Sequence, residues 1–190
     1  MTSSSTSAAR SAALVLFLDL QDEIVKNSQT NPLPIVRTRA GALAALAALH
    51  GLPAFASSVP PGGAFLTDVL DPLPALQPRP RTSTSAFADD GLTAAIAGTG
   101  RRLIVLSGVA SEIVVQRTAL DALAAGYRVE IAVDACGGVN ARTEDAAWRR
   151  IIQAGGVTTS VTTFAAELAG DFTTDLGGKT LGLMYQTLSY

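Results

Sequence analysis

Five short apolar runs punctuate the chain: residues 12–18 (AALVLFL), 53–58, 103–106 (LIVL), 127–133 and 157–160. The first ends at Asp19, the third at Ser107 and Gly108, and the fourth at Asp134. Continuous apolar segments of this length, bounded by turn residues, read as strands covered on both faces. Between them lie stretches of helical period. Residues 35–50 carry Ile35, Leu43, Leu46 and Leu49 on one side of an alanine-rich helix, and residues 89–97 are a shorter one. Residues 112–125 carry Val114, Val115, Thr118, Leu120 and Leu123. Residues 143–154 carry Ala146, Ala147, Ile151 and Ile152 with Trp148 at the margin, and residues 163–169 close the series. Strands that alternate with helices predict an α/β domain, a three-layer α/β/α Rossmann-like fold around a mainly parallel sheet.

Chemistry in such a fold sits where strands end and helices begin, because unpaired amides and the positive helix end converge there. Residues 101–121 supply such a junction. Ser111 is the expected cap of the following helix, and Gly126 its C-terminal stop. Asp19 is expected at the same carboxyl edge, since an unpaired carboxylate is costly to bury. Residues 64–80 are broken by Pro72, Pro74, Pro78 and Pro80, so they read as an ordered lid or edge excursion, with a sixth strand near residues 76–81. His50, in the last turn of its helix, is expected to bond a terminal carbonyl rather than to catalyse.

Composition narrows the partners. The 190 residues are 48% hydrophobic and 16% charged, with a formal net charge of -2. That is enough for one well-packed domain and offers no basic stripe for nucleic acid. The expected organisation is a flexible tail over residues 1–11, a domain over 12–174, and an apolar C-terminal tail over 175–190 that packs on the domain or on a neighbouring subunit. No run approaches a membrane span, and the start does not read as a signal peptide. A cytoplasmic homodimer or larger homo-oligomer is the expectation. Cys136 is the single cysteine and His50 the single histidine, which excludes a disulfide framework and a multi-histidine metal site.

Several motifs resemble the isochorismatase-like (cysteine hydrolase) superfamily. LFLDLQ is similar to its opening strand, whose terminal aspartate is the general acid/base; here that residue is Asp19, followed by Gln21. The segment from Arg81 to Phe87 resembles one in which a lysine precedes a Ser-Ala-Phe signature, with Arg81 in the lysine position. Gly108-Val109-Ala110-Ser111-Glu112-Ile113-Val114-Val115 resembles the nucleophile loop, and Val114 occupies the cysteine position. The stretch 148–172, with Gln153-Ala154-Gly155-Gly156 and Glu167-Leu168, resembles the YcaC-like branch. The resemblance implies a sheet order of 3-2-1-4-5-6 and a cis peptide at Val109-Ala110. It also implies catalysis by Asp19 and Arg81, and a substrate pocket formed by Gln21, Phe87, Val109, Ala110 and Val114, with amides of residues 109–114 facing an oxyanion.

The departures from the pattern bear directly on chemistry. Valine cannot attack a carbonyl, so covalent catalysis through position 114 is excluded. Arginine keeps the lysine's charge but cannot donate a proton near neutral pH. The metal-binding Asp and His residues of related nicotinamidases are absent after residues 53–58, so no metal and no cofactor is expected. Cys136, beyond a different strand, is not expected to act, and Asp134 is expected to be structural. Three functions stay open. The first is a noncovalent enzyme using Asp19 acid/base chemistry on a small carboxylate-bearing or vinyl ether substrate, as isochorismatases do without a cysteine. The others are a non-hydrolytic catalyst of specialised metabolism and a catalytically degenerate small-molecule-binding or scaffold protein.

Overall fold

The computed structural model describes residues 12–188; the expected tail at residues 1–11 lies outside them. Six strands form one parallel sheet: β1 (Ala13–Leu18), β2 (Ala54–Ser58), β3 (Pro78–Pro80), β4 (Leu103–Gly108), β5 (Arg128–Ala132) and β6 (Val157–Thr159). Their order, β3-β2-β1-β4-β5-β6, is the expected one and puts β1 and β4 side by side at the centre. The helices are α1 (Asp22–Val25), α2 (Leu33–Leu49), α3 (Thr67–Leu70), α4 (Asp90–Gly98), α5 (Gln116–Ala124), α6 (Ala141–Gln153), α7 (Val161–Ala169) and α8 (Asp175–Gln186).

The alternation of side chains in β1 divides the core. Ala13, Val15 and Phe17 join an apolar cluster with α2 and α7, while Leu14, Leu16 and Leu18 join a second cluster with α4, α5 and α6. All six are fully buried, which is why the run has no polar residue before Asp19. Each buried leucine or phenylalanine contributes about 1.5–3 kcal/mol in transfer terms. On α2, Ala40, Ala44 and Ala47 are buried small side chains that let a strong helix former lie close to the sheet. At the sheet edge β3 carries Pro78 and Pro80, which remove backbone donors where no further strand pairs.

Several local expectations change. Residues 64–80 are not a plain excursion, since α3 interrupts them, while β3 is the sixth strand expected near residues 76–81. Residues 146 and 152 do not belong to the apolar side of α6: Ala147 and Ile151 are buried, whereas Ala146 is exposed and Ile152 is half exposed. Adjacent helical positions lie about 100° apart, and the stripe facing the sheet is narrower than the apolar sequence pattern. Ser160 caps α7, accepting from the Thr163 amide, so that helix starts earlier than expected.

The C-terminal helix α8 packs on α7 and α2 of its own chain, with Leu183 and Met184 against the first core cluster. His50 takes part in that docking. Its Nε2 stands 2.8 Å from the hydroxyl of the fully buried Thr180, and that hydroxyl donates to the Leu176 carbonyl. The Thr180 oxygen therefore accepts from His50 Nε2–H, and the expected bond to a terminal carbonyl is replaced by this link to α8.

Burial holds the His50 imidazole below its ordinary value of 6.5. The unfolded chain then binds this proton more readily than the folded one. Stability is untouched well above 6.5, falls as pH drops below it, and levels off only below the folded value. Urea unfolding of wild type and His50→Gln at about pH 7.5 and about pH 5.5 checks this. Wild type should lose more stability on acidification than the variant, and equal losses would contradict the assignment.

Candidate functional site

Asp19 follows β1 at the carboxyl edge with φ 52°, the left-handed region, which aspartate tolerates better than most residues. Its amide donates to the Ser57 carbonyl, and the side chain turns toward the end of β3. Arg81 meets it there. The Arg81 amide donates to the Ser58 carbonyl, prolonging the β2–β3 ladder by one residue and fixing where the side chain starts. Its guanidinium closes on the carboxylate as a fork: Nη1 to Oδ1 at 2.5 Å and Nη2 to Oδ2 at 2.6 Å. Nη1 also donates to Ser57 Oγ at 3.1 Å, and Nε to the Ser83 carbonyl at 2.8 Å. Four of the five guanidinium donors are thus engaged. Both side chains are buried, at 3% and 8% exposure, so little solvent screens the pair.

Gln21, two residues on, spends its amide on the chain. Its Oε1 accepts from the Val59 amide at 2.8 Å, while Nε2 donates to the carbonyls of Val59 at 3.1 Å and Gly63 at 3.0 Å. These three bonds pin the loop that contains the cis Pro60-Pro61 peptide. Gly62 packs directly on the amide, where a Cβ would lie 2.5 Å from Gln21 Nε2. The loop and Gln21, with Ser58 and Pro80, line an open cleft of about 480 Å³. Asp19, Arg81 and Val114 are not among its lining residues.

On the neighbouring junction, Gly108 is required by close approach: a Cβ there would lie 2.4 Å from the Leu18 carbonyl oxygen. The Val109-Ala110 peptide is cis. The amides of Val109, Ser111 and Ile113 donate to the carbonyls of Leu18, Gly137 and Ala110, so three of the six amides expected to face a ligand are already used. Ser111 does not cap the helix. Its hydroxyl donates to Glu144 at 2.6 Å, and the chain enters α5 through one wide π-type turn, Ser111–Val115. Val114, only 1% exposed, packs in the second core cluster with Leu16, Leu18 and Cys136. Ala110 is partly buried against the first cluster, as Val109 is fully within it.

Phe87 packs on a neighbouring ring. Its ring meets Tyr127 edge-on, with centroids 5.7 Å apart, on a groove between α4 and α5. Asp134 accepts from the Val161 amide at 2.8 Å and faces Arg39, anchoring the start of α7. Burial raises its carboxyl above the ordinary range. Burial likewise pushes the Cys136 thiol up, with the charges of Glu144 and Asp134 adding to the effect, which disfavours a thiolate there. Among the described residues no cluster of three or more His, Cys, Asp or Glu could hold a metal, and no helix is long and apolar enough to cross a membrane. Sequence reading missed Ser57 and Ser83, which complete the Arg81 shell; small hydroxyl residues beside a strand end carry no distinguishing pattern.

Comparison with known proteins places this geometry. The family described as Isochorismatase domain matches residues 12–163. The probable hydrolase YcaC of Escherichia coli (strain K12) is 32% identical over 94 residues, a stretch spanning 50% of this chain and less than half, 45%, of that protein. The solved structure of YcaC from Pseudomonas aeruginosa, with hexane-2,5-diol and covalent acrylamide, superposes with a TM-score of 0.85 at 25% identity, covering 92% of this chain and 90% of that one. The Escherichia coli YcaC structure, described as an octameric hydrolase of unknown specificity, gives 0.84 at 26% identity over 95% and 96%.

The Gln21 clamp predicts a local phenotype. In Gln21→Glu a buried carboxylate replaces the two N–H donors and faces two carbonyl oxygens, which should cost about 2–4 kcal/mol. Gln21→Met keeps the volume and should cost less. Hydrogen exchange at the Val59 and Gly62 amides should quicken in both variants. Unchanged exchange in Gln21→Glu would show that the loop does not depend on this side chain.

Proposed function

The chain belongs to the isochorismatase family, and from that premise we propose that it binds a small molecule noncovalently, with the family's proton-transfer pair converted to a static ion pair. The observation that carries this reading is the closure of Arg81 on both oxygens of Asp19. Each oxygen is already held by a guanidinium N–H, and arginine does not relay protons as a lysine can. The nucleophile position adds nothing, since Val114 is a core side chain and Cys136 is buried. Gln21 then braces the loop of the cleft that it lines, and Val114 fills a place in the second core cluster.

A second reading keeps Asp19 as acid/base for a noncovalent hydrolysis, with a carboxylate-bearing or vinyl ether ligand drawing Arg81 away from it. The left-handed backbone of Asp19 favours this, because strained positions concentrate at functional sites. On the binding reading the same backbone serves to turn the carboxylate toward Arg81. Assembly as a homo-oligomer goes with either reading: Leu176, Tyr185 and Leu188 remain exposed on and after α8, and the YcaC relative of Escherichia coli is described as octameric.

The two readings part on turnover. The Pseudomonas aeruginosa relative carries covalent acrylamide, whereas this protein should show no adduct by intact mass after incubation with acrylamide under native conditions. Val114→Cys combined with Arg81→Lys should give no hydrolysis of a small amide panel, and the parent should not turn over isochorismate-like vinyl ethers. Vinyl ether turnover abolished by Asp19→Asn would establish the second reading instead. A native adduct on the parent, or robust amide hydrolysis by the double variant, would defeat the proposal.

A further inference from the structure

Resting on the noncovalent reading, we propose that the cleft beside Gln21 selects an uncharged, compact ligand with a planar apolar part and one hydrogen-bonding group. Its walls are Ser58, Val59, Pro60, Pro61, Gly62 and Pro80, none of which carries charge. Three ion pairs on the flanking segments are matched internally. Asp19 and Arg81 close on each other, Glu23 pairs with Lys26, and Arg79, next to Pro80 in the chain, binds Asp89 at 3.0 Å. A charged ligand entering here would give up hydration with no opposite charge in the lining to replace it. Opening the Asp19–Arg81 pair to supply one would leave a buried partner uncompensated, which costs more than an exposed ion pair returns.

What the cleft does present is shape and a few polar atoms. Three proline rings, on Pro60, Pro61 and Pro80, give rigid apolar faces suited to a flat ring or an unsaturated chain. The polar capacity of the Gln21 amide is spent on Val59 and Gly63, and the Gly62 amide donates to the Val59 carbonyl. Apart from Gln21, the half-buried Ser58 hydroxyl is the polar side-chain group of the lining, and the main-chain carbonyl of the same residue already accepts from Arg81. Selection against charge therefore follows from an uncharged lining rather than from repulsion, and it removes the arginine as the expected ligand anchor.

Three probes of one ring and three charge states test this: benzyl alcohol, benzoate and benzylammonium, titrated into the full-length protein and followed by ligand-observed and amide NMR. Benzyl alcohol should bind at least about tenfold more tightly than either ion, shifting the Ser58 and Val59 amides, and salt should change its affinity little. Ser58→Ala should weaken it about threefold to tenfold without altering the fold. Benzoate binding as tightly as the alcohol, or failure of all three probes to perturb these amides, would overturn the proposal. Chemical conversion of a probe with the neutral preference intact would instead count against the noncovalent reading and leave the selectivity standing.

Discussion

The buried fork between Arg81 and Asp19 constrains everything at the carboxyl edge of the sheet. It ties the end of β1 to the end of β3 across β2, and Ser57 of β2 adds a hydroxyl to the same guanidinium. Desolvating two charges is expensive, and bidentate geometry with additional hydrogen bonds is what offsets that cost. Once this pair is in place, the positions of residues 57–63 follow: the Arg81 amide continues the ladder, and Gln21 clamps the loop that begins there. The pair is thus a structural tie, and on the proposed binding reading it also keeps Asp19 and Arg81 matched to each other.

The same scaffold can hold chemistry or lose it through very few side chains. The fold shared with the YcaC structures extends over more than nine-tenths of this chain. Within it, the cysteine position is a valine packed among core leucines, and a compensated ion pair stands where the resemblance implies proton transfer. These changes support one another physically. A valine fits the apolar cluster without the polar demand of a thiolate, and an arginine makes a more complete fork on Asp19 than an ammonium point charge can. The cleft beside Gln21 has an uncharged lining, mainly proline and glycine, so that on the proposed reading recognition there is a matter of fit and desolvation.

Much of this architecture is legible in the sequence. AALVLFL reads as a doubly covered strand because all six of its residues within β1 are apolar, and the strand order follows once the motif order is recognised. The short, proline-interrupted β3 falls within the sixth strand expected near residues 76–81, although its three residues are too few to carry a periodicity of their own. Asp19 and Arg81 could be named from motifs, but their mutual closure could not. Two groups separated by 62 positions leave no spacing signal, and whether a guanidinium faces a ligand or a carboxylate depends on side-chain direction. Ser111 illustrates the same limit. A serine before a helical run is a good cap on average, yet here Glu144 on α6 takes its hydroxyl, and the wide turn into α5 is a tertiary effect. Phe87 sits in a matching motif but packs on Tyr127, which only the three-dimensional arrangement of α4 and α5 decides.

Whether the ion pair is closed in solution decides between a static tie and a proton-transfer site. A double-mutant cycle with Asp19→Asn, Arg81→Met and their combination, read by urea unfolding at neutral pH, measures their coupling directly. Asparagine retains tolerance for the left-handed backbone at this position, and methionine retains the apolar stem of the arginine. The closed pair predicts that either single variant is costly, about 3–5 kcal/mol, that the double variant recovers much of the loss, and that the coupling is about 2 kcal/mol or more. A coupling below about 0.5 kcal/mol, typical of exposed charges, would contradict the account and return Asp19 to the pool of free acid/base groups.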